Sequence, residues 1–412
     1  MTSIPSRRRR NTLLALAAGV LAAIAAPTLL YVGAKAITNS KAGQNVQANL
    51  PPEQTFPQTP TAMLATVSAT NELTSVTVLV LAPDADVSPA GYDQRGGSMV
   101  SVPINADTGS GDQALSLHDA YASGGEDQLR SDVESVINLT VDFSAVMTAE
   151  QFAAFLTGLP SVQATFPRDV LGTDDAPVFP KGPAVLTAAQ AAQVLTTRSP
   201  TEREHARQTN LDPLWTGIAA AVGTGRQGQT LSAQSPTTFD EMAARLLAGP
   251  VASRGLVARP LGADRNPDGL DVEELDRADT ILVFASIAPA EMTRPAGGLS
   301  YRLEAPPGYD QQVRKTIGIL LSFGGNVVSV DLSAEPVAGT TYLIYDQALA
   351  AAEPTENALF GTIKIESPDV RLGGVDETIA LGTTYLDGVD LSAPDATSST
   401  STSVEPTTET TV

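Results

Sequence analysis

Apolar residues in this chain fall into short β-branched runs separated by stretches of helical period. Residues 75–81 (SVTVLVL) and 98–103 (SMVSVP) are two such runs. Pro83, Asp84, Gly91 and Asp93 between them favour turns, so the pair predicts a hairpin. Residues 131–139 predict a helix and 139–143 (LTVDF) a short strand. At 148–156, Thr148 stands at an N-cap with Gln151 three residues on, the spacing of a capping box. Phe152, Phe155 and Leu156 then share one helical face. Residues 186–195 predict a helix. Residues 202–222 predict a longer one, which Pro213 breaks or kinks. Another helix is predicted at 271–279, and 281–285 (ILVFA) reads as a buried strand. Strands alternating with helices indicate α/β rather than all-β.

A second block begins near Gly298. Residues 299–303 predict a strand. Residues 310–323 predict a helix with Val313, Ile317, Leu320 and Leu321 on one face, ended by Gly324-Gly325. Residues 327–332 and 342–345 predict strands, Pro354 opens a short helix through Leu359, and 362–365 and 378–381 complete a βαββαββ order. The domains read from the pattern are 62–297 and 298–390.

The first 61 residues follow a different pattern. Residues 12–33 are uncharged and long enough to cross about 30 Å of hydrocarbon. Arg7 to Arg10 precede them, which places the 1–11 tail in the cytoplasm and the remainder outside. The segment reads as a single-pass membrane anchor. A cleaved signal is the alternative, because Ala34-Lys35-Ala36 has a small-x-small form. Residues 34–61 are polar and Pro-rich and predict an extended linker. Residues 391–412 are almost wholly Ser, Thr, Pro, Glu, Asp and Ala and predict a disordered tail.

Charge and composition narrow the chemistry. The chain has 412 residues and a net charge of −21. All acidic groups follow the apolar segment, so the exported part is more acidic still. Such a surface repels nucleic acid, and no nucleic-acid partner is expected. There is no cysteine, which removes disulfides, thiolate metal sites and a Cys nucleophile. With only His118 and His205, a His-rich zinc site is not expected either. His118 reads as a turn or edge residue, His205 as a solvated helix residue and Trp215 as packing. The Gly-Gly pairs lack a following Lys-Ser or Lys-Thr, so no P-loop is present.

Several motifs, taken in order, resemble the LytR–CpsA–Psr family of cell-envelope proteins followed by a LytR C-terminal domain. Val100-Ser101-Val102-Pro103 is similar to the family's strand ending in Ser-Ile-Pro. His118 to Gly125 (HDAYASGG) is similar to its Asn-Ala-Ala-Tyr-x-x-Gly-Gly. Val141-Asp142-Phe143 falls at its Ile-Asp-Tyr/Phe strand. Phe179 to Gly182, the helix after it, Arg198 and Arg207-Gln208 follow the order of its last conserved segment. Asp376 to Tyr385 resembles the closing strand of the second domain. The resemblance spans about residues 62–388. It implies a central sheet flanked by helices, followed by a small α/β domain. It also implies transfer of an anionic glycan from a polyprenyl diphosphate carrier to peptidoglycan, with arginines on the diphosphate, carboxylates holding Mg²⁺ and an apolar groove for the lipid.

The chain departs from that pattern at the charged positions. Ile104 and Asn105 stand where the family has Arg-Asp. Residues 73–76 carry no charge where the family has an Arg and an Asp. Thr196 replaces one arginine of a pair whose other member is Arg198. Glu204 stands three residues before Arg207, where the family has an arginine. The phosphate-binding candidates are therefore Arg198, Arg207 and Gln208, with Arg203 one residue out of register. Arg198 and Arg207 are equally open to pairing with Glu202 or Glu204, since helix neighbours three and four apart meet. Phe152, Phe155 and Leu156 are candidates for lining a lipid groove or for the core. Asp107 and Asp119 are the nearest carboxylates to replace the metal ligands. No cofactor is expected unless activity is retained, in which case it is Mg²⁺. The expectation is a catalytically impaired envelope protein that contacts membrane lipid through its anchor and binds polyprenyl-linked glycan or peptidoglycan. An active phosphotransferase and a non-enzymatic scaffold are the alternatives.

Overall fold

The β-branched run at 75–81 sits in the middle strand of a five-stranded sheet, and the computed structural model builds a mixed α/β protein around it. The structure describes residues 51–83, 94–109, 114–226, 231–232, 234–295, 297–346, 349–350, 357–361 and 363–392. In chain order the principal elements are β1 (Thr61–Val67), β2 (Leu73–Leu81), β3 (Gly97–Val102), α1 (Leu117–Ile137), β4 (Phe143–Met147), α2 (Ala149–Phe155) and β5 (Val162–Phe166). Next come β6 (Gly182–Leu186), α3 (Ala188–Thr196), α4 (Glu204–Val222), α5 (Phe239–Leu246), β7 (Val251–Gly255), β8 (Glu273–Leu275) and α6 (Arg277–Ile287). The last are β9 (Ser300–Glu304), α7 (Asp310–Ser322), β10 (Asn326–Asp331), β11 (Thr340–Ile344), α8 (Asn357–Phe360), β12 (Ile363–Glu366), β13 (Glu377–Ala380) and α9 (Thr383–Gly388).

The chain divides into two units, Met1–Glu53 with Pro368–Arg371, and Gln54–Ser367 with Leu372–Val412. In the first, the Arg371 amide donates to the Pro52 carbonyl at 2.9 Å and its guanidinium pairs with Glu53. Every element from β1 onward belongs to the second unit.

In that second unit the first sheet runs β7-β3-β2-β1-β4. β2 and β3 form the predicted antiparallel hairpin, with Val78 opposite Val100; Asp84, Gly91 and Asp93 lie outside the described residues. β1 pairs antiparallel with β2 and parallel with β4. Successive side chains of a strand point to opposite faces. Ala62 and Leu64 accordingly join Leu79 and Leu81 in a core with α2, α3, α4 and α5. Met63, Ala65 and Val67 join Val76, Val78 and Val80 in a second core with α1 and one face of α6. All seven residues of β1 are buried. The result is a sheet covered on both faces.

The second sheet runs β10-β9-β13-β11-β12. On it packs α7, with Val313, Ile317 and Leu320 buried and Leu321 partly so. Gly324, at φ +79°, ends that turn in the left-handed region glycine favours. Pro354, placed at a helix start by the sequence, lies outside the described residues.

Several local expectations are corrected. Residues 281–285 are helical, not a strand. They lie in α6, whose N-cap Asp276 accepts from the Asp279 amide at 2.8 Å. Ala278, Ile281, Leu282 and Ala285 join the second sheet's core, while Val283 and Phe284 join a core of the first. A helix apolar all round is a buried helix, and its pattern has no face to betray the period. The helix predicted at 271–279 gives way to β8, α6 beginning only at Arg277. The helix predicted at 131–139 starts at Leu117 and kinks at Gly125 (φ +68°), within the HDAYASGG motif. The strand predicted at 139–143 lies at Phe143–Met147. Pro213 does not break α4, which runs unbroken to Val222. Among the described residues no helix is long and apolar enough to cross a membrane; the anchor predicted at 12–33 and most of the tail at 391–412 lie outside them.

One contact fixes α4 against the two-stranded sheet of β5 and β6. A β-carbon at Gly217 would stand 2.2 Å from the Gln163 carbonyl oxygen on β5. Neither backbone has room to yield, so Gly217→Ala is expected to destabilise by about 1–3 kcal/mol. A denaturant titration checks this, and an unchanged midpoint would refute the close approach.

Candidate functional site

Three elements bring the arginine candidates together. The end of α3 carries unpaired carbonyls and a partial negative charge, and the start of α4 carries unpaired amides and a partial positive one. Arg207 answers the first of these. Its Nη2 donates to the Leu195 carbonyl at 2.7 Å and its Nε reaches the Thr197 carbonyl at 3.4 Å. Its Nη1 donates to the Thr74 carbonyl on β2 at 2.6 Å and to Glu204 Oε1 at 3.2 Å.

Glu204 is fully buried in the first turn of α4. Its carboxylate meets Arg207 Nη1 at 3.2 Å, Arg198 Nε at 3.8 Å and Gln208 Nε2, which donates at 2.8 Å. Gln208 in turn accepts from the Ser101 hydroxyl at 3.5 Å. The anion between the two guanidinium groups is thus one of the protein's own side chains. Burial lowers the pKa of Arg207, with the Glu204 carboxylate opposing the shift. Nearby Glu202 is raised by burial, against the pull of Arg168 and Arg207.

The helix start is occupied as well. The Glu204 amide donates to Asp271 Oδ2 at 2.8 Å, so a first-turn donor that would suit a phosphate serves an internal carboxylate. Arg203 is the N-cap residue of α4, caps nothing with its side chain and is exposed. Of the four phosphate-binding candidates, the structure converges Arg198, Arg207 and Gln208 on Glu204 and leaves Arg203 outside.

The positions expected to supply metal ligands do not assemble a donor set for Mg²⁺. Asn105 is buried with neither atom of its carboxamide hydrogen-bonded. Asp107 is paired with Arg265 at 2.9 Å and accepts from the Leu115 amide. Ser116 caps α1 by accepting from the Asp119 amide and donates its hydroxyl to the Asp119 carboxylate, which sits 3.4 Å from His118. Burial pushes Asp119 up, but the Ser116 hydroxyl and His118 hold it below the ordinary carboxylate range. Among the described residues no three His, Asp or Glu side chains gather to hold a metal ion. These residues do not fit the ion that the family resemblance implies.

Phe152 and Leu156 are fully buried among Trp215, Leu214 and Leu195, with Phe155 packed against them. The Phe152 ring meets Trp215 edge-on at 5.8 Å. The capping box at Thr148 and Gln151 forms as the sequence predicts.

The sequence matches no family model and no curated protein. Among solved structures, Lin1025 from Listeria innocua is similar at 19% identity, covering 55% of this chain and 96% of its own with a TM-score of 0.33. TagT of B. subtilis is similar at 17% identity, covering 55% and 88% with a TM-score of 0.35. A third, described as the LytR-CPS2A-psr family protein YwtF (TagT) with bound octaprenyl pyrophosphate lipid, is 15% identical over 54% and 86%, with a TM-score of 0.34.

Proposed function

We propose that this is an exported cell-envelope protein of the LytR–CpsA–Psr kind that has given up phosphoryl transfer and binds lipid-linked or wall glycan without processing it. In this reading residues 12–33 anchor it at the outer face of the membrane, 62–297 form the family's α/β domain and 298–390 a LytR C-terminal-like domain. The observation that carries the loss of transfer is Glu204. Its carboxylate lies between Arg198 and Arg207, where a diphosphate would need their charge. Losing one well-placed donor in a transfer site costs about 3–4 kcal/mol, or roughly 10²–10³ in rate. Here the arginines are engaged internally and the carboxylates for a metal are absent or paired elsewhere. The order of motifs from Val100 to Tyr385 supports the kinship, and with it a ligand drawn from the envelope.

The test is transfer from a polyprenyl-diphosphate-linked glycan to peptidoglycan by the full chain in detergent, with and without Mg²⁺. No transfer is expected in either condition, together with retention of the protein on purified cell-wall material. Mg²⁺-dependent turnover would overturn the loss of chemistry, and failure to bind either lipid-linked or wall glycan would overturn the binding role.

A further inference from the structure

A cavity of about 240 Å³ opens between α4, β7 and β8, with Gln208 in its wall. Its polar wall holds His205, Gln208, Thr209, Asp212 and Glu273, and its apolar wall Pro103, Leu256 and Val257. No Lys or Arg lines it.

Glu273 is the centre of this wall. Its side chain is 6% exposed, and its ion partner is His205 Nδ1 at 3.5 Å. That histidine is 72% exposed and charged only when protonated. Asn105, 2% exposed, adjoins Glu273: the Glu273 amide donates to the Asn105 carbonyl at 2.9 Å. The Asn105 carboxamide faces the Glu273 carboxyl and lowers its pKa, but makes no close hydrogen bond. Asp212 packs over Gly255, where a β-carbon would stand 2.6 Å from its Oδ1. Burial raises both Asp212 and Glu273 above the ordinary carboxylate range, with His205 and Asn105 opposing the rise at Glu273.

The two carboxyl groups of this pocket face no Lys or Arg, and its one basic lining residue, His205, is exposed and charged only when protonated. The cavity's volume is below the roughly 300–1,000 Å³ of a drug-sized site, so it suits a group the size of one side chain. We propose that this cavity binds a primary alkylammonium group. The methylenes lie along Leu256, Val257 and Pro103, and the ammonium donates to Glu273 and Asp212 with His205 swung out to solvent. Three donors on one small cation match two carboxylates and the Gln208 carboxamide. Such a group is carried by an amine-bearing wall peptide or by a free diamine. The inference goes beyond the loss of transfer and does not depend on it: a failed ammonium titration leaves the result of the transfer assay unchanged.

The test is calorimetric titration of the full chain in detergent with pentylammonium, and with pentanol as the uncharged isostere. Pentylammonium is expected to bind and pentanol to give no saturable heat. Glu273→Gln is expected to weaken binding about 10- to 100-fold, the worth of one hydrogen bond to a charged group. Asp212→Asn, at the exposed rim, should weaken it with an unchanged melting temperature, and it carries the test if Glu273→Gln fails to fold. Tighter binding of Nα-acetyl-lysine methylamide than of 1,5-diaminopentane would identify the peptide as the source, and the reverse order the free diamine. Equal binding of pentanol and pentylammonium, no binding of any amine, or an Asp212→Asn affinity equal to wild type would each overturn the proposal.

Discussion

Glu204→Ala is expected to destabilise the protein by about 3 kcal/mol and to create a site for small anions. Removing one partner of a buried ion pair costs about 3–5 kcal/mol, because the other charge is left without compensation. The low end applies, since Arg207 keeps the carbonyls of Thr74 and Leu195 as acceptors. The void is lined by Arg207, Arg198 and Gln208, the same groups that now hold the carboxylate. Formate or phosphate should therefore raise the melting temperature of the variant well above its value in chloride, while wild type stays unmoved. Replacing both partners by apolar residues, Glu204→Leu with Arg207→Met, should cost less than the two single changes together, by about 1–3 kcal/mol of coupling. A Glu204→Ala variant as stable as wild type, or one indifferent to added anion, would mean the carboxylate is not what the guanidinium groups hold.

The parts of the fold legible in the sequence were those with one wet face or a marked end. β2 and β3 declared themselves by β-branched runs around turn residues, and α7 by apolar spacing closed by Gly324-Gly325. β1 did not. Its sequence TAMLATV is buried at every position, so no alternation marks it, and its first residue read as the end of the linker. The same two-sided burial made α6 look like a strand. At the site, Arg198, Arg207 and Gln208 were found by motif order, and Glu204 was visible as a departure three residues earlier. What the sequence could not show is that Glu204 turns inward. That depends on Thr74, 133 residues from Arg207 in sequence, and on Asp271, 67 residues from Glu204. The cavity wall was hidden for a like reason: Asn105 and Glu273 become neighbours only through the backbone pairing of Ala106 with Glu273.

Phe152→Ala separates a packed core from a lipid groove, and its expected effect is a loss of about 3–5 kcal/mol of stability. The ring is fully buried and meets both Trp215 and Phe155, at centroid distances of 5.8 and 5.6 Å. Truncation removes those contacts along with the transfer energy of the side chain, and the helix start fixed by the Thr148 capping box limits how far α2 can collapse into the gap. A residue lining an open groove would behave differently. Its truncation would leave the denaturant midpoint within a few tenths of a molar of wild type, and would appear as weaker retention of a polyprenyl lipid. Phe155, half-buried at the edge of the same cluster, is the internal control. If Phe152→Ala is nearly neutral while Phe155→Ala abolishes lipid retention, the cluster is a groove wall and the lipid-binding candidates of the sequence stand. If Phe152→Ala unfolds the domain at modest denaturant while lipid retention scales only with the folded fraction, these side chains hold the helices on the sheet, and any glycan or lipid is gripped elsewhere on the molecule.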